Sequence, residues 1–301
     1  MSPSSNRSTQ IHVTGGRGRL ATLIAEHFRA RDVGVHLYSR IAGDGIRSLS
    51  ELAPGGPLTS DDILLDLAWS TLPATSEQSP GLEEREDLPR LAKTLEHIAA
   101  LAADSRPHYI FFSSGGAVYG NAPGRPSRED DVCQPIGRYG RAKLAGEQIV
   151  NEAASRHGLS CTILRIANPY GYPVPAGRAQ GVIPHAIRCA IEGQPLTLWG
   201  DGHARKDFIH HTDFLSALAA VIARRLTGTF NLAAGESHSV REIIALVEKH
   251  TSRRILTNST PAPAWDVHDS RLDPSRLRAA TDWNPRIPLD EGVRRAVAGH
   301  L

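Results

Sequence analysis

Hydrophobic residues near the start of the chain recur with two different periods. Apolar runs at residues 11–13, 33–37 and 63–67 are short and partly alternating, as in buried or half-buried strands. Between the first two runs, apolar side chains from Leu20 to Phe28 recur at spacings of three and four residues, which predicts an amphipathic helix. This part of the chain is therefore predicted to alternate between strands and helices.

The same alternation continues through the middle of the chain. Periodic apolar positions predict long helices over 83–103 and 138–157, and apolar runs predict strands at 109–112 and 161–166. A short helix is also predicted within 46–52, in a stretch rich in glycine, proline and serine. Strands that alternate with helices form parallel sheets, so we expect an α/β fold with a doubly wound parallel sheet.

The proline and glycine content rises beyond Asn168, where the regular alternation stops. This change predicts a second, smaller C-terminal lobe, from which the chain returns to the sheet. The predicted organisation is a flexible leader at 1–10, a first domain at 11–172 with a return segment at 214–233, and the lobe at 173–213 and 234–301.

Composition and charge argue against several classes of protein. Hydrophobic residues make up 40% and charged residues 22%, which is ordinary for a globular chain, and the net charge of +2 offers no strong field for nucleic acid. No apolar run approaches the roughly 18 residues of a membrane helix, and the polar first residues lack the apolar core of a secretory signal. We expect a cytoplasmic protein whose partners include neither nucleic acid nor membrane.

Cysteines and histidines give no metal signature. Cys133, Cys161 and Cys189 are odd in number and widely spaced, so they predict neither a disulfide framework nor a zinc site. His210 and His211 are adjacent, and neighbouring residues of a strand point to opposite faces. We therefore expect structural histidines and no metal.

A glycine-rich turn joins the first predicted strand to the first predicted helix. Gly15, Gly16 and Gly18 follow Thr14, and Ala21 takes the third small position. Glycines at this junction permit a tight turn and the close approach of a pyrophosphate to the helix N-terminus. The context of strand, turn and helix favours a dinucleotide-binding loop over an ordinary turn.

The residue that ends the second strand contacts the adenosine ribose in such folds. About 24 residues after Gly15 the chain carries Ser39 and then Arg40, where a carboxylate would accept from both ribose hydroxyls. A small hydroxyl beside a guanidinium suits a 2′-phosphate instead. The pair favours NADP(H), and NAD is kept as the alternative.

Tyr139 and Lys143 lie four residues apart at the start of a predicted helix, so they share one face. An ammonium beside a phenol lowers the pKa of the phenol and prepares it for proton transfer. The pair follows the hydroxyls of Ser113 and Ser114, which end a predicted strand. Along the chain, the phosphate-binding loop comes first, the serine hydroxyls second, and the phenol with its ammonium third. A dehydrogenase requires these elements in this order.

Taken together, these segments resemble the extended short-chain dehydrogenase/reductase superfamily, in its nucleotide-sugar epimerase/dehydratase branch. The glycine loop, residues 113–120, the Tyr139/Lys143 pair and residues 168–171 carry the resemblance, which extends over nearly all of the chain. It implies a Rossmann-like NAD(P)-binding domain at 11–172, a substrate-binding C-terminal lobe and a nucleotide-diphosphate sugar as the substrate. It also makes a homodimer a candidate assembly.

The resemblance implies a role for each candidate site residue. Tyr139, Lys143 and Ser114 would be catalytic. The cofactor would contact the glycine loop, two strand ends and the catalytic pair, at Gly15, Gly16, Arg17, Gly18, Arg19, Leu20, Ser39, Arg40, Leu67, Ala68, Tyr139 and Lys143. Trp199 would wall the nucleobase, and Lys206 or Arg205 would hold the diphosphate. The substrate-binding set is Asn168, Gln180, Val182, Trp199, Arg205 and Lys206.

The chain departs from the pattern of this branch at several positions. Ser39 replaces the usual ribose aspartate. When the family pattern is aligned without gaps, the catalytic hydroxyl falls on Gly115. Ser114 takes that role if the loop is shifted by one residue relative to the family pattern. Gly116 and Ala117 stand where the sugar dehydratases carry acidic residues, which argues against 4,6-dehydration.

Two reactions at C4 of the sugar fit these residues. A reductase uses NADPH to reduce an NDP-4-keto-(deoxy)hexose, whereas a UDP-hexose 4-epimerase retains NAD and returns the hydride to the other face of the ring. The motifs in residues 113–120 and 180–184 favour the epimerase, and Ser39 with Arg40 favours the reductase. We expect the 4-ketoreductase. A non-catalytic NADP(H) sensor is a third hypothesis, and the retained phenol and ammonium argue against it.

Overall fold

A computed structural model of the chain describes residues 8–52, 58–122, 124–172 and 181–300. Strands and helices alternate through most of this length. The strands are β1 (Gln10–Thr14), β2 (Gly34–Ser39), β3 (Arg47–Ser48), β4 (Ile63–Asp66), β5 (His108–Ser114), β6 (Cys161–Ile166), β7 (Asn168–Tyr170), β8 (Leu196–Trp199), β9 (Arg205–His210), β10 (Gly228–Leu232), β11 (Ser237–Ser239), β12 (Thr257–Thr260) and β13 (Asp269–Ser270). The α-helices are α1 (Arg19–Arg29), α2 (Pro73–Gln78), α3 (Leu88–Ala100), α4 (Gly115–Val118), α5 (Arg138–His157), α6 (Val182–Glu192), α7 (His211–Arg224), α8 (Val240–Thr251), α9 (Ser275–Thr281) and α10 (Leu289–Ala298).

The largest sheet has seven strands in the order β10-β6-β5-β4-β1-β2-β3. The pairings β1–β2, β1–β4, β2–β3 and β4–β5 are parallel, with Val13 of β1 opposite Leu37 of β2 and Leu65 of β4. The strand order reverses between β1 and β4, so the sheet is doubly wound, as the alternation predicted. Ligands of such sheets bind beyond the carboxyl ends of the strands at this reversal.

The central strands are buried along most of their length. Ile63, Leu64 and Leu65 of β4 are at most 1% exposed, and so are Ile11 and Val13 of β1. A near-continuous apolar run of this kind is typical of a parallel strand covered on both faces. The rigid strands therefore fix the positions of the turns that follow Thr14 and Asp66.

Several predicted elements are confirmed in detail. The helix predicted over 138–157 and the strand predicted over 161–166 coincide with α5 and β6. The predicted return of the chain to the sheet is met by β10, which lies beside β6 in the large sheet. Long periodic segments give the strongest sequence signal, which explains this agreement.

Two predicted elements are corrected. The short helix predicted within 46–52 is present only as a four-residue 3₁₀-helix at Leu49–Leu52, because Arg47–Ser48 pair with the end of β2. The helix predicted over 83–103 begins with a π-helical turn at Glu83–Asp87 and then continues as α3. Sheet pairing and an irregular first turn both depend on distant neighbours, which apolar spacing does not record.

The chain divides into two compact units. The first contains Met1–Ser113, Ala142–Leu164 and Ile222–Thr229, and the second contains Ser114–Arg141, Arg165–Val221 and Phe230–Leu301. These bounds differ from the predicted domain boundaries, which remain a prediction.

The second unit has its own apolar core. Helices α6, α8 and α10 pack against one another, and Ile183, Ile187, Ile243, Val247 and Val293 are buried among them. Two small sheets belong to this unit, one with the order β11-β9-β13 in which β7 also pairs with β9, and one formed by β12 and β8. Within the described part of the chain, every helix is too short or too polar to cross a lipid bilayer.

Candidate functional site

The glycine turn after β1 is packed too closely for side chains. Gly15 has a φ of +71°, and a Cβ there would lie 3.1 Å from the Ala68 backbone. A Cβ on Gly16 would lie 3.0 Å from the nitrogen of Tyr38. Gly18 N donates to the Gly15 carbonyl at 2.7 Å and closes the turn. Glycine is therefore required here by both backbone conformation and space.

Helix α1 begins directly after this turn. Its first residues, Arg19 and Leu20, are half-buried, and its first turn contains no acidic side chain. The partial positive charge of the helix N-terminus is therefore not opposed locally. The close-packed turn and the helix N-terminus together fit the pyrophosphate of a dinucleotide.

Two arginines lie at the carboxyl end of β2. Ser39 ends the strand half-buried, and Arg40 follows it exposed. Arg17 reaches the same segment from the glycine turn, where its Nε donates to the Ile41 carbonyl at 3.1 Å. The guanidinium of Arg40 lies 3.3 Å from the carboxylate of Glu86, and both side chains are largely exposed. Such a surface pair is weak, so it leaves Arg40 able to bind an anion.

A buried hydrogen-bond network fixes the ends of β1 and β4. Asp66 is 1% exposed and accepts from Thr14 Oγ1 at 2.5 Å, from Tyr109 Oη at 2.6 Å and from Arg90 Nη1 at 3.0 Å. Burial raises the pKa of Asp66, but the Arg90 guanidinium and these hydrogen bonds outweigh it and hold the pKa below its usual value.

The same network holds the turn after β4. The backbone N–H groups of Leu67 and Ala68 donate to Thr14 Oγ1 at 3.1 Å and 3.0 Å. Arg90 donates to the Ala68 carbonyl at 2.8 Å. Both predicted cofactor residues therefore lie on a fixed backbone beside Gly15.

Helix α5 carries the predicted catalytic pair in its first two turns. Tyr139 is half-buried, and Lys143, one turn later, is 4% exposed. Lys143 Nζ donates to the Phe112 carbonyl at 2.9 Å. Burial lowers the pKa of Lys143 to about 7, and Asp66 opposes that lowering while Arg90 adds to it. The side chain can therefore change charge near neutral pH.

The two serines at the end of β5 differ in their surroundings. Ser113 is buried, and its hydroxyl donates to Glu147 Oε1 at 2.5 Å. Ser114 is half-buried at the N-cap position of α4, and its side chain does not cap the helix. The hydroxyl of Ser113 is thus bonded to a buried carboxylate. Ser114 therefore remains the candidate for a hydrogen bond to the substrate.

The two glycines that follow have different amounts of space. A Cβ on Gly115 would lie 2.4 Å from Leu272 Cδ1 and 3.1 Å from the Arg165 carbonyl. A Cβ on Gly116 would meet only Ser270 Oγ at 3.6 Å and Asn168 Nδ2 at 3.8 Å, which are ordinary contacts. A hydroxyl-bearing side chain therefore does not fit at Gly115, where the family pattern expects one, unless neighbouring atoms move.

The predicted diphosphate ligands on β9 already have partners. Lys206 Nζ donates to Asp266 Oδ1 at 2.9 Å, and Arg205 Nη1 donates to Glu242 Oε2 at 3.1 Å. Because the two residues are adjacent in a strand, their side chains point to opposite faces. Asn168, on β7, donates to a backbone carbonyl of β9 at 2.8 Å. These residues share one small sheet, and a bound diphosphate would compete with Asp266 for the ammonium.

The remaining predicted substrate residues are placed as follows. Trp199 ends β8 with 43% of its surface exposed, and its ring lies edge-on to Trp265 with the ring centres 5.0 Å apart. Val182 is half-buried as the first residue of α6. Gln180 lies outside the described residues. Trp265 is half-buried, and the exposed ring of Trp199 can stack on a base.

Histidine clusters do not form a metal centre in the described residues. Residues 8–52, 58–122, 124–172 and 181–300 contain no group of three His, Cys, Asp or Glu side chains that could hold an ion. His210 is buried, and its Nδ1 lies 2.8 Å from Thr212 Oγ1.

Asp66, Arg90 and Trp69 are absent from the sequence-predicted set. Asp66 and Arg90 join the turn after β4 to α3, and the ring of Trp69 lies over Lys143 Nζ at 3.7 Å. The sequence contained one usable signal, because Asp66 ends an otherwise apolar strand. A carboxylate in that position is buried and must have partners.

Comparison with known proteins shows the family of the chain. Residues 81–233 match the model of the NAD dependent epimerase/dehydratase family. UDP-glucose 4-epimerase of Mycolicibacterium smegmatis is 30% identical over 190 residues, which cover 62% of this chain and 60% of the relative. The chain thus spans about three fifths of that relative's length.

A second relative matches over almost the whole chain. It is the dTDP-6-deoxy-L-talose 4-dehydrogenase (NAD(P)(+)) of Kitasatospora kifunensis, 27% identical over 310 residues, with 92% of this chain and 93% of the relative covered. Among solved structures, the Thermus thermophilus UDP-glucose 4-epimerase in complex with NAD has a TM-score of 0.84 at 24% identity and covers 96% of this chain and 98% of that chain. This last likeness shows the fold.

Proposed function

Because the chain belongs to the NAD dependent epimerase/dehydratase family, we propose that it is an NADPH-dependent 4-ketoreductase of a nucleotide-activated 4-keto-hexose. The observation that carries the choice is the end of β2, where Ser39 and Arg40 occupy the place of a ribose-binding carboxylate. Arg17 is anchored on the next segment and adds a second guanidinium. Two cations and a small hydroxyl suit a 2′-phosphate, which NAD lacks.

The relatives support this reading of the cofactor and substrate. The name of the Kitasatospora protein, which matches 92% of this chain, specifies NAD(P)+ and oxidation at C4 of a dTDP-6-deoxyhexose. Net reduction draws on an exchangeable NADPH pool, whereas an epimerase keeps its dinucleotide bound and gains nothing from a 2′-phosphate. A cytoplasmic location and a homodimer remain predictions.

The chain's own residues supply the proton chemistry. When bound, the dinucleotide would supply the hydride that adds to C4 of the sugar. Tyr139 donates its phenolic proton to O4 as the carbonyl becomes a hydroxyl. The ammonium of Lys143, which lies on the same helix face, lowers the pKa of the Tyr139 phenol. Ser114 donates a hydrogen bond to O4 and polarises the carbonyl.

Substrate recognition is assigned to the second unit. Lys206 holds the diphosphate after exchange with Asp266, and Asn168 contacts the sugar phosphate region. Trp199 presents its exposed ring to the nucleobase and is supported edge-on by half-buried Trp265. Arg205 points to the other face of β9 and is the second choice for the phosphate.

Cofactor preference provides the first test. We expect purified protein to bind NADPH more tightly than NADH in isothermal titration. Arg40→Ala and Arg17→Ala should each weaken NADPH binding roughly tenfold and leave NADH binding nearly unchanged, because each removes a charge-assisted bond to the 2′-phosphate. Arg31→Ala, which removes an exposed guanidinium from the turn after α1, is the matched control. A preference for NADH that Arg40→Ala does not alter would contradict the assignment.

The two serines of β5 provide a second test. Ser114→Ala should lower kcat roughly 10-fold to 100-fold with little change in melting temperature, because its hydroxyl acts on the substrate. Ser113→Ala should instead reduce stability by about 1–2 kcal/mol, because its hydroxyl donates to buried Glu147. Steady-state kinetics and thermal unfolding of both variants separate the roles. The reverse pattern would make Ser113 the catalytic hydroxyl.

A UDP-hexose 4-epimerase is the second candidate function. It is favoured by the 30% identity to the Mycolicibacterium UDP-glucose 4-epimerase. Denaturing the purified protein and analysing the released dinucleotide distinguishes the two candidates. Stoichiometric, tightly held NAD+ would support the epimerase, and a protein that releases none and turns over only with added NADPH would support the reductase.

A further inference from the structure

The loop after β4 presents Trp69 from a fixed backbone. Arg90 donates to the carbonyl of Ala68 at 2.8 Å, on one side of the tryptophan. On the other side, the backbone N–H of Ser70 donates to Asp87 Oδ2 at 3.0 Å, and the Ser70 hydroxyl donates to Asp87 Oδ1 at 3.0 Å. Asp87 closes the π-helical turn that precedes α3, so the turn and the helix hold both flanks of the tryptophan.

The indole ring of Trp69 covers the ammonium of Lys143. Lys143 Nζ lies 3.7 Å from the centre of the Trp69 ring and 5.1 Å from the centre of the Phe111 ring. The indole N–H meets no acceptor among the described residues, although it is inaccessible to solvent. The ring is therefore held by packing, against the Phe111 ring with the ring centres 6.0 Å apart and against the Lys143 ammonium, rather than by a hydrogen bond to the described residues.

We propose that Trp69 is a positioning residue, whose indole face keeps the Lys143 ammonium charged and directed at the Phe112 carbonyl. A cation over an indole face is attracted by the negative face of the ring, most strongly where water is excluded. Lys143 is 4% exposed, so hydration contributes little to keeping it charged. The importance of that charge for turnover rests on the proposed function, but the contact itself does not.

Charged groups from four elements face the same ammonium. Asp66 of β4, Asp87 of the π-helical turn and Glu147 of α5 favour its charged form, and Arg90 of α3 opposes it. Burial outweighs the three carboxylates and lowers the pKa of Lys143 to about 7. Because the pKa of Lys143 lies so close to neutral pH, removal of the Trp69 indole should measurably change the fraction of Lys143 that is charged.

Nuclear magnetic resonance of protein with ¹³C-labelled lysine tests the contact without any substrate. The chain contains only Lys93, Lys143, Lys206 and Lys249, so single Arg replacements of the other three assign the Lys143 signals by elimination. In the unmodified protein, the indole ring current should shift the Hε signals of Lys143 upfield of the others. In Trp69→Leu this displacement should be lost, and the titration midpoint of Lys143 should fall by about one pH unit.

Trp69→Phe is the matched variant, because it keeps an aromatic face. Its Lys143 midpoint should lie between those of the unmodified protein and Trp69→Leu. A midpoint that is unchanged or raised in Trp69→Leu would overturn the proposal, and so would unshifted Lys143 signals in the unmodified protein, which need no variant to fold. If the Lys143 signals are as expected but the protein reduces no nucleotide sugar, the proposed function is wrong and the contact between Trp69 and Lys143 still stands.

Discussion

Replacing Tyr139 by Phe is expected to reduce kcat roughly 10²-fold to 10⁴-fold, the usual contribution of a positioned proton donor. The ring of Tyr139 is half-buried in the first turn of α5, and the substitution removes only its hydroxyl. Affinity for NADPH should change by less than about threefold, because the glycine turn, Arg17 and Arg40 are untouched. Steady-state kinetics and isothermal titration of the variant measure both quantities.

Tyr119→Phe is the matched control for this variant. Tyr119 is buried, donates to Asn231 Oδ1 at 2.8 Å and accepts from Arg165 at 2.8 Å, so its hydroxyl belongs to a structural network. Its loss should lower the melting temperature and leave kcat largely unchanged. If Tyr139→Phe retained full turnover, the assignment of Tyr139 as the proton donor would be wrong.

Replacing Asp66 by Ala is expected to destabilise the protein by about 3–5 kcal/mol, because it leaves the Arg90 guanidinium without its buried partner. Thr14 and Tyr109 also lose their acceptor. The contribution of Asp66 has a definite pH dependence. Its folded-state pKa is lowered, so its stabilisation is fully present above the unfolded-state value of about 3.9 and is lost as the pH falls through the folded value.

Denaturant unfolding at pH 7 and in acid measures this effect. The difference between the unmodified protein and Asp66→Ala should be largest at neutral pH and should shrink below pH of about 4. Asp61→Ala removes an exposed carboxylate nearby and should change stability by less than about 0.5 kcal/mol. Equal stability of Asp66→Ala and the unmodified protein would show that the network does not hold the turn after β4.

The doubly wound sheet could be predicted because its strands and helices carry strong local signals. The apolar runs of β1, β4 and β6 and the long helix α5 occur where periodicity placed them. The glycine turn was also predictable, because close packing against Ala68 and Tyr38 admits no side chain and therefore dictates the residue type. In the glycine turn, the local backbone geometry determines which residue type can be present.

Partners that are distant in sequence could not be predicted in the same way. The bonds of Arg90 to Asp66, of Ser113 to Glu147 and of Lys206 to Asp266 join residues separated by 24, 34 and 60 positions. The residue types could be read from the sequence, but the register between the elements could not. For the same reason, the contact of Trp69 with Lys143 and the π-helical turn that supports it were found only in the structure.

The most direct test of the proposed reaction follows the hydride itself. Purified protein is incubated with NADPH in which both hydrogens at C4 of the nicotinamide are deuterium, together with a dTDP-4-keto-6-deoxyhexose. The sugar product is analysed by mass spectrometry and nuclear magnetic resonance. We expect one NADP+ to form for each sugar reduced, with one deuterium at C4 of the sugar. Interconversion of UDP-glucose and UDP-galactose without added cofactor, together with no deuterium transfer to the keto sugar, would show that the protein is not the proposed reductase.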